Sequence, residues 1–239
     1  MQSCIWCEQR AIAPPTWSTL FDIRPRPQFC EECEEKLERL VGKHLCQGCG
    51  RNLQHLQPQF YENETCLDCL KWKASEWGTQ LAQNRSLYTY NDFLKEVMTK
   101  YKFRGDALLI EAFRPELRKA YKRWYSNAIA VPIPLSQNRQ KERSFNQSQL
   151  IATCLTTKVV HALKREGETS KQSKKSRSER LGMATNPFVA QTDLKKFIQG
   201  KSIVLVDDIY TTGVTLHLAA MALQPFEPKS ISSLALARG

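Results

Sequence analysis

The sequence lacks the features of several large protein classes. None of its apolar runs approaches the roughly 20 residues that a helix needs to cross a bilayer. Its first seven residues, MQSCIWC, contain no basic segment followed by an apolar one, which is the pattern of a signal peptide. No G-x-x-x-x-G-K-[ST] motif occurs, so a P-loop nucleotide site is excluded. We therefore expect a cytoplasmic protein without a membrane span.

Acidic residues are scarce in the second part of the chain. The 239 residues carry a net charge of +11, but residues 1–80 hold 9 Lys and Arg against 11 Asp and Glu, a net charge of −2. Residues 81–239 hold 26 against 13, a net charge of +13. This excess favours a polyanionic partner, either a nucleic acid or a phosphorylated metabolite, with solubility alone as the alternative.

Cysteine is nearly absent after residue 69. Eight of the nine cysteines lie within residues 1–69, in four Cys-x-x-Cys pairs. Two such pairs can complete a tetrahedral four-sulfur zinc site, and the gaps between pairs resemble those of zinc ribbons. A disulfide framework would need an oxidising compartment, and a thioredoxin-like redox pair would not need four copies. The predicted zinc ligands are Cys4, Cys7, Cys30, Cys33, Cys46, Cys49, Cys66 and Cys69.

The order of the pairs favours two zinc sites built from consecutive pairs, with a cross-braced pairing as the open alternative. Closed four-cysteine sites are structural, and their metals contribute folding free energy directly. We therefore predict a zinc-binding module over residues 1–80, whose acidic character suits contact with a protein. The ninth cysteine, Cys154, lies in an apolar run and is expected to be a buried thiol.

Residues 81–239 alternate between strand and helix patterns, which predicts an α/β domain with a mainly parallel sheet. We expect strands at 87–90, 128–131, 203–206 and 230–237. We expect the main helices at 92–101, 115–125, 146–163 and 213–223. The helix at 115–125 carries two pairs of basic residues, Arg118 with Lys122 and Lys119 with Arg123. These side chains could contact the phosphates of a nucleic acid, or could simply face solvent beside aromatic residues of the core. The Lys-, Arg- and Ser-rich segment 164–182 is predicted to be a mobile loop.

Residues 203–216, I-V-L-V-D-D-I-Y-T-T-G-V-T-L, join an apolar strand to a polar loop. Ligands of parallel sheets bind beyond the carboxyl ends of strands, where Asp207 and Asp208 are expected. The loop at 211–215 precedes a helix, and N–H groups at a helix start favour an anion such as phosphate. Carboxylates can accept hydrogen bonds from sugar hydroxyls or bind Mg²⁺. The pattern predicts a ribose 5-phosphate site, with an acidic strand end and a capping threonine as the alternative.

The same stretch resembles the signature with which type I phosphoribosyltransferases bind 5-phosphoribosyl 1-pyrophosphate (PRPP). The chain as a whole is similar to the ComF family, the ComFC-like proteins of natural competence. This resemblance implies a type I phosphoribosyltransferase-like domain over residues 81–239, a parallel sheet flanked by helices, behind a small zinc-ribbon-like domain. It is carried by the cysteine pairs and by K-F-R-G-D (102–106), V-P-I-P (131–134), R-S-F-N-Q (143–147) and N-P-F (186–188).

The resemblance also implies roles for individual residues. The two carboxylates would bind the ribose hydroxyls of PRPP, the loop would bind its 5-phosphate, and Mg²⁺ would accompany it. Ser144 departs from the usual family glycine, and Thr211 stands where purine-type enzymes have a catalytic carboxylate and orotate-type enzymes a threonine. The pyrophosphate side and the flexible loop are expected to contribute Arg139, Arg143 and Arg180. The implied PRPP-binding residues are Asp207, Asp208, Thr211, Thr212, Gly213, Val214 and Thr215.

Three functions fit this sequence. The favoured one is a DNA-uptake protein of natural transformation, which binds single-stranded DNA beside a ComFA-type helicase at the inner face of the membrane. The alternative is an active phosphoribosyltransferase that displaces pyrophosphate from PRPP toward an unknown acceptor. A PRPP-sensing regulator ranks last, because the sequence shows no separate DNA-reading helical motif.

Overall fold

The computed structural model describes residues 3–9, 28–42, 44–75, 78, 80–103, 108–143, 145–166 and 186–239. The first part contains helix α1 (Glu31–Glu35), strands β1 (Tyr61–Glu62) and β2 (Thr65–Cys66), and helix α2 (Leu67–Ala74). The second part contains β3 (Asn84–Thr89), α3 (Asp92–Phe103), α4 (Leu108–Glu111), α5 (Arg114–Tyr125), β4 (Ile129–Pro132), α6 (Gln137–Glu142), α7 (Gln147–Leu155), β5 (Leu163–Arg165), β6 (Phe188–Ala190), α8 (Lys195–Ile198), β7 (Ser202–Tyr210), α9 (Val214–Leu223) and β8 (Ser230–Arg238). Within these ranges no helix combines the length and apolar character of a membrane span.

A parallel sheet with the strand order β3-β8-β7-β4 forms the centre of the second part. Its two inner strands, β7 and β8, pair from Ser202 opposite Ser230 to Tyr210 opposite Arg238. Successive side chains of a strand point to opposite faces, so one apolar run supplies two cores. Val204 and Val206 belong to one core, and Ile203 and Leu205 belong to the other. The predicted α/β architecture with a parallel sheet flanked by helices is confirmed.

Different elements cover the two faces of the sheet. Helices α3, α4, α5 and α7 pack on the face of Val204, where Leu94, Leu117 and Ile151 are fully buried. Helix α9 covers part of the opposite face. Much of that face is covered by the cysteine-rich part of the chain instead of a further helix. Its contributions to this second core are Cys46, Cys49, Leu53, Cys66, Cys69 and Leu81.

The beginning of the chain packs against the helical layer. Trp6 meets Phe93 edge to face, with ring centroids 5.6 Å apart, and Phe29 meets Phe113 at 5.2 Å. Such aromatic pairs stabilise a contact beyond the area that they bury. The cysteine-rich part therefore makes apolar contacts in both cores, one on each face of the sheet. A division of the chain at residue 80 stays a prediction.

Three predicted segments differ from the structure. The helix predicted at 146–163 is wrong in its second half, because α7 ends at Leu155. Val159 and Val160 are β-branched and disfavour a helix, and Val159 instead pairs in parallel with Ala130 beside β4. The strand predicted at 203–206 continues to Tyr210, so the acidic pair lies within β7. The start of the predicted mobile loop forms β5, and residues 167–182 of that loop lie outside the described residues.

Candidate functional site

The carboxyl end of β4 lies beside the later part of β7, because the strands are parallel and Pro132 pairs with Val206. The N–H of Ile133 donates to the carbonyl of Val206 at 3.0 Å, which continues this alignment. Residues 133–143, which follow β4, therefore reach the same edge of the sheet as residues 207–215, which form the end of β7 and the loop beyond it.

Asp207 is held in place by two hydrogen-bond donors. The hydroxyl of Ser148 donates to its Oδ1 at 3.0 Å, and the N–H of Asp208 donates to the same oxygen at 2.9 Å. Ser148 is only 4% exposed and lies in the first turn of α7, where its N–H donates to the capping side chain of Asn146. The helix start therefore fixes the orientation of the carboxylate at the strand end.

An open cavity of about 150 Å³ lies between these segments. Arg139, Arg143 and Arg165 line it together with both carboxylates. Nη1 of Arg143 donates to Oε1 of Gln147 at 3.0 Å, so the first turn of α7 also positions this guanidinium. Three guanidinium groups beside two carboxylates suit a ligand that combines anionic groups with hydroxyls or a bound cation.

The loop between β7 and α9 lines a smaller cleft of about 30 Å³. Its last residue, Gly213, has a φ of +85° and directly precedes the first residue of α9. A side chain at this position would be strained, and its Cβ would lie 2.2 Å from the hydroxyl oxygen of Tyr210. The tight turn brings the N-terminus of α9, with its N–H groups and positive dipole end, to the edge where the carboxylates lie.

Two phenols lie within electrostatic reach of Asp208. Burial, assisted by the negative charge of Asp208, raises the pKa of Tyr90 and Tyr101. The hydroxyl of Tyr101 donates to the carbonyl of Gln147 at 3.1 Å. Both phenols therefore stay protonated at neutral pH and serve as neutral neighbours of the site rather than as bases.

Two groups of four cysteines bring their sulfurs within 4.8 Å of one another. The first tetrad is Cys4, Cys7, Cys30 and Cys33, and the second tetrad is Cys46, Cys49, Cys66 and Cys69. The sulfurs of Cys7 and Cys30 are 3.5 Å apart, and those of Cys49 and Cys66 are 3.7 Å apart. A tetrahedral zinc ion with Zn–S bonds of about 2.3 Å holds its sulfurs about 3.8 Å apart. Both tetrads thus have the dimensions of a structural zinc site, and they consist of consecutive pairs as predicted.

Donor groups around the sulfurs stabilise thiolates, the form that binds metal. The N–H of Cys30 donates to the sulfur of Cys4, and the N–H of Cys66 donates to that of Cys46, both at 3.3 Å. Hydrogen bonds from the other three thiols of the second tetrad hold the pKa of Cys46 well below its usual range. Nη2 of Arg238 donates to the sulfur of Cys49 at 3.4 Å.

Known proteins resemble the chain along nearly its whole length. Residues 148–239 match the phosphoribosyl transferase domain family. The chain is 39% identical to competence protein ComFC of Bacillus subtilis (strain 168), over 98% of its length and 94% of that protein. The chain belongs to the ComFC family of competence proteins. It is also 31% identical to competence protein ComFC of Streptococcus pneumoniae (strain ATCC BAA-255 / R6), over 98% of this chain and 99% of that protein. It is 26% identical to competence protein F of Haemophilus influenzae (strain ATCC 51907 / DSM 11121 / KW20 / Rd), over 88% of this chain and 90% of that protein.

In this ComFC-family chain, the predicted site residues within the described ranges meet at one edge of the sheet. Arg139, Arg143, Asp207 and Asp208 line the cavity, and the loop at 211–215 lines the adjoining cleft. Arg180 and Ser144 lie outside the described residues. The binding roles of these residues stay predictions.

Sequence reasoning missed three polar residues of the ComFC-family cavity: Gln147, Ser148 and Arg165. The capping residue Asn146 is a readable signal, because it places the two residues that follow it in the first turn of α7. Arg165 gave no such signal. It was one of many basic residues in the predicted mobile loop, and it is positioned by the antiparallel pairing of β5 with β6.

Proposed function

We propose that this ComFC-family chain acts in DNA uptake during natural transformation, on a domain that binds PRPP with Mg²⁺. In this proposal it is cytoplasmic, binds single-stranded DNA, and works with a ComFA-type helicase at the inner face of the membrane. The observation that supports the PRPP site is the convergence of two carboxylates, three arginines and a helix-start loop on one sheet edge.

Each part of this edge matches one part of PRPP. The loop at 211–215 and the N-terminus of α9 bind the 5-phosphate, and Asp207 and Asp208 accept hydrogen bonds from the ribose hydroxyls. Arg139 and Arg143 neutralise the pyrophosphate, with Arg165 beside them. The carboxylate oxygens are ligands of the type that Mg²⁺ prefers, and the ion would offset the charge of the pyrophosphate.

A thermal-shift measurement tests the ligand. We expect millimolar PRPP with Mg²⁺ to raise the melting temperature of the wild-type protein, because a ligand that binds only the folded state stabilises it. The shift should be absent in D207N/D208N, which removes two carboxylates from the site. The matched control is D92N/D193N, which removes two exposed carboxylates elsewhere and should shift like the wild type. A wild-type protein that does not shift would refute the PRPP site.

The DNA-binding proposal rests on the charge of residues 81–239. Exposed basic side chains on α5, Lys119, Lys122 and Arg123, present one continuous patch that can contact phosphates. The neighbouring Tyr125 is buried and donates its hydroxyl to the carbonyl of Ser233 at 2.9 Å, so it is not available for stacking on bases. Binding should therefore be electrostatic, with little sequence preference.

Gel shifts with a single-stranded oligonucleotide test this surface. We expect the affinity of the wild type to fall steeply between 50 and 200 mM salt, because binding releases counterions from the DNA. In a plot of log affinity against log salt concentration, each phosphate contact that is removed should make the slope shallower by about one unit. K119E/K122E/R123E should weaken binding. The charge-matched control K196E/K201E/K229E changes three exposed lysines elsewhere and should weaken it less. Equal losses in both variants would contradict a site on α5, and an absence of salt dependence would contradict DNA binding of this kind.

The acidic α1 is the proposed contact for the helicase. Glu31, Glu32, Glu34 and Glu35 are all exposed on this short helix. A pull-down with a ComFA-type helicase should succeed with the wild type and fail with E31K/E32K/E35K, whereas K119E/K122E/R123E should still bind. Retained binding by the α1 variant would place the helicase elsewhere.

Phosphoribosyl transfer is the second candidate function, favoured by the arginines that line the cavity beside the carboxylates. These groups would stabilise the charge of departing pyrophosphate, and the site would act mainly by positioning. The measurement is pyrophosphate release from PRPP, with water as the simplest acceptor. Release by the wild type that is lost in D207N/D208N supports turnover, whereas PRPP binding without release supports a binding role alone.

A further inference from the structure

The second tetrad is connected to the loop at 211–215 through Trp72. Trp72 lies on α2, three residues after the tetrad member Cys69. Its indole N–H donates to the carbonyl of Thr212 at 2.8 Å. Its ring stacks on the imidazole of His217 in the first turns of α9, with centroids 3.9 Å apart and an angle of 9°. One side chain of the cysteine-rich part therefore contacts both the loop and the helix that follows it.

A second connection runs through Arg238 at the end of β8. This residue is only 3% exposed. Its guanidinium donates to the sulfur of Cys49 at 3.4 Å and to the carbonyl of Tyr210 at 3.4 Å, and it lies 4.9 Å from the centre of the Tyr210 ring. The hydroxyl of that ring lies directly beneath Gly213. Cys49 is thus linked to Gly213 through the side chains of Arg238 and Tyr210.

The first tetrad has a different environment. Its neighbouring aromatic residues, Trp6 and Phe29, pack on Phe93 and Phe113 in the helical layer. In the part of the chain that the structure describes, no hydrogen bond or ring contact joins this tetrad to the loop. The two tetrads therefore provide an internal comparison, since among the described residues the connections to the loop run from the second tetrad.

We propose that the second tetrad and its metal set the geometry of the loop at 211–215, with Trp72 and Arg238 as positioning residues. This inference rests on the proposed binding of a ribose phosphate there. In a trans peptide the carbonyl and the following N–H point in opposite directions. Because Trp72 holds the carbonyl of Thr212 toward the cysteine-rich part, the N–H of Gly213 points away from that part, and in this proposal it donates to the phosphate. A metal on Cys66 and Cys69 fixes the start of α2 and hence the position of Trp72.

The hydrogen bond is tested by W72F, which keeps an aromatic ring against His217 but removes the N–H donor. We expect its affinity for ribose 5-phosphate, measured by titration calorimetry, to fall about fivefold, the usual effect of one lost hydrogen bond. The matched control is W6F, a tryptophan substitution beside the first tetrad, whose affinity should equal that of the wild type. Zinc content should stay the same in both variants. Equal affinities of W72F and wild type would overturn the role of Trp72.

The metal connection is tested by C69S and C33S, each of which removes one ligand from one tetrad. Both should lose about one equivalent of zinc, because a closed structural site needs all four ligands. Only C69S should bind ribose 5-phosphate more weakly, by about tenfold or more. If C33S weakens binding as much as C69S, the effect is general destabilisation and the inference fails.

Amide hydrogen exchange of residues 211–217 provides a readout that needs no ligand. Exchange in this loop should rise in C69S relative to C33S, and in W72F relative to W6F, because the loop loses its support. Failure of the wild type to bind ribose 5-phosphate would refute the proposed function, and the exchange comparison would still decide the structural coupling. If residues 211–217 exchange equally fast in C69S and C33S, and equally fast in W72F and W6F, the proposed coupling between the second tetrad and the loop is wrong.

Discussion

Gly213→Ala is the substitution whose cost the structure defines best. The backbone at Gly213 has a φ of +85°, and an alanine in this left-handed region costs roughly 1–2 kcal/mol. Its Cβ would also lie 2.2 Å from the hydroxyl oxygen of Tyr210 and 2.6 Å from the adjoining ring carbon. Tyr210 is 4% exposed and cannot move aside freely, so overpacking adds about 1–3 kcal/mol. We expect a total loss of about 2–5 kcal/mol in the free energy of unfolding, together with loss of phosphate binding.

Gly200→Ala is the matched control, because Gly200 has a similar φ of +67° but no atom within 4 Å of an added Cβ. It should lose only the backbone contribution, roughly 1–2 kcal/mol, and should bind ribose 5-phosphate like the wild type. Urea unfolding gives the free energies, and titration calorimetry gives the affinities. Equal destabilisation by the two substitutions, or full phosphate binding by G213A, would refute the steric and functional account of this turn.

Three further predictions concern the site, acid stability and the metals. S148A removes a buried donor to Asp207, and its affinity for ribose 5-phosphate should fall about fivefold in calorimetry, whereas unchanged affinity would show that Ser148 does not orient the carboxylate. A hydrogen bond from Arg114 lowers the pKa of Glu111 below 4.5, so its stabilising effect is present above that pH and is lost as the pH falls through the lowered value. The unfolding free energy of E111Q should therefore fall less than that of the wild type between pH 5 and pH 3, and an equal fall would contradict this assignment. Removal of metal with a chelator and a thiol reagent should lower the melting temperature, and zinc with a reductant should restore it, because the second tetrad lies within an apolar core and the neighbours of the first tetrad pack against the other core; an unchanged melting temperature would mean that the tetrads are not structural metal sites.

The parts of the molecule that depend on local signals could be predicted from the sequence. The apolar run before Asp207 predicts a buried parallel strand, and the polar loop that follows it leads into a predicted helix. Cys-x-x-Cys spacing predicts the tetrads, since two thiolates on one turn can face one ion. In each case a few neighbouring residues carry the whole signal.

The parts that depend on distant contacts could not be predicted. Trp72 and Thr212 are 140 residues apart, and no property of either residue indicates their hydrogen bond. The end of α7 was predicted too late because apolar residues continue after Leu155, and the pairing of Val159 with Ala130, which places them beside β4, is a contact between distant residues. The cysteine-rich part was expected as a separate acidic module, and its packing against the face of Ile203 follows only from the assembled sheet.

In the proposed site the carboxylates recognise a ribose diol while the loop recognises a phosphate. Calorimetry with ribose 5-phosphate and 2-deoxyribose 5-phosphate tests it directly, because these ligands differ by one hydroxyl. Wild-type protein should bind ribose 5-phosphate at least tenfold more tightly, since a missing hydroxyl leaves carboxylate oxygens unpaired, and D207N/D208N should bind both ligands with nearly equal, weaker affinity. Equal affinity of the wild type for the two sugars, or a preference that survives in D207N/D208N, would contradict the account.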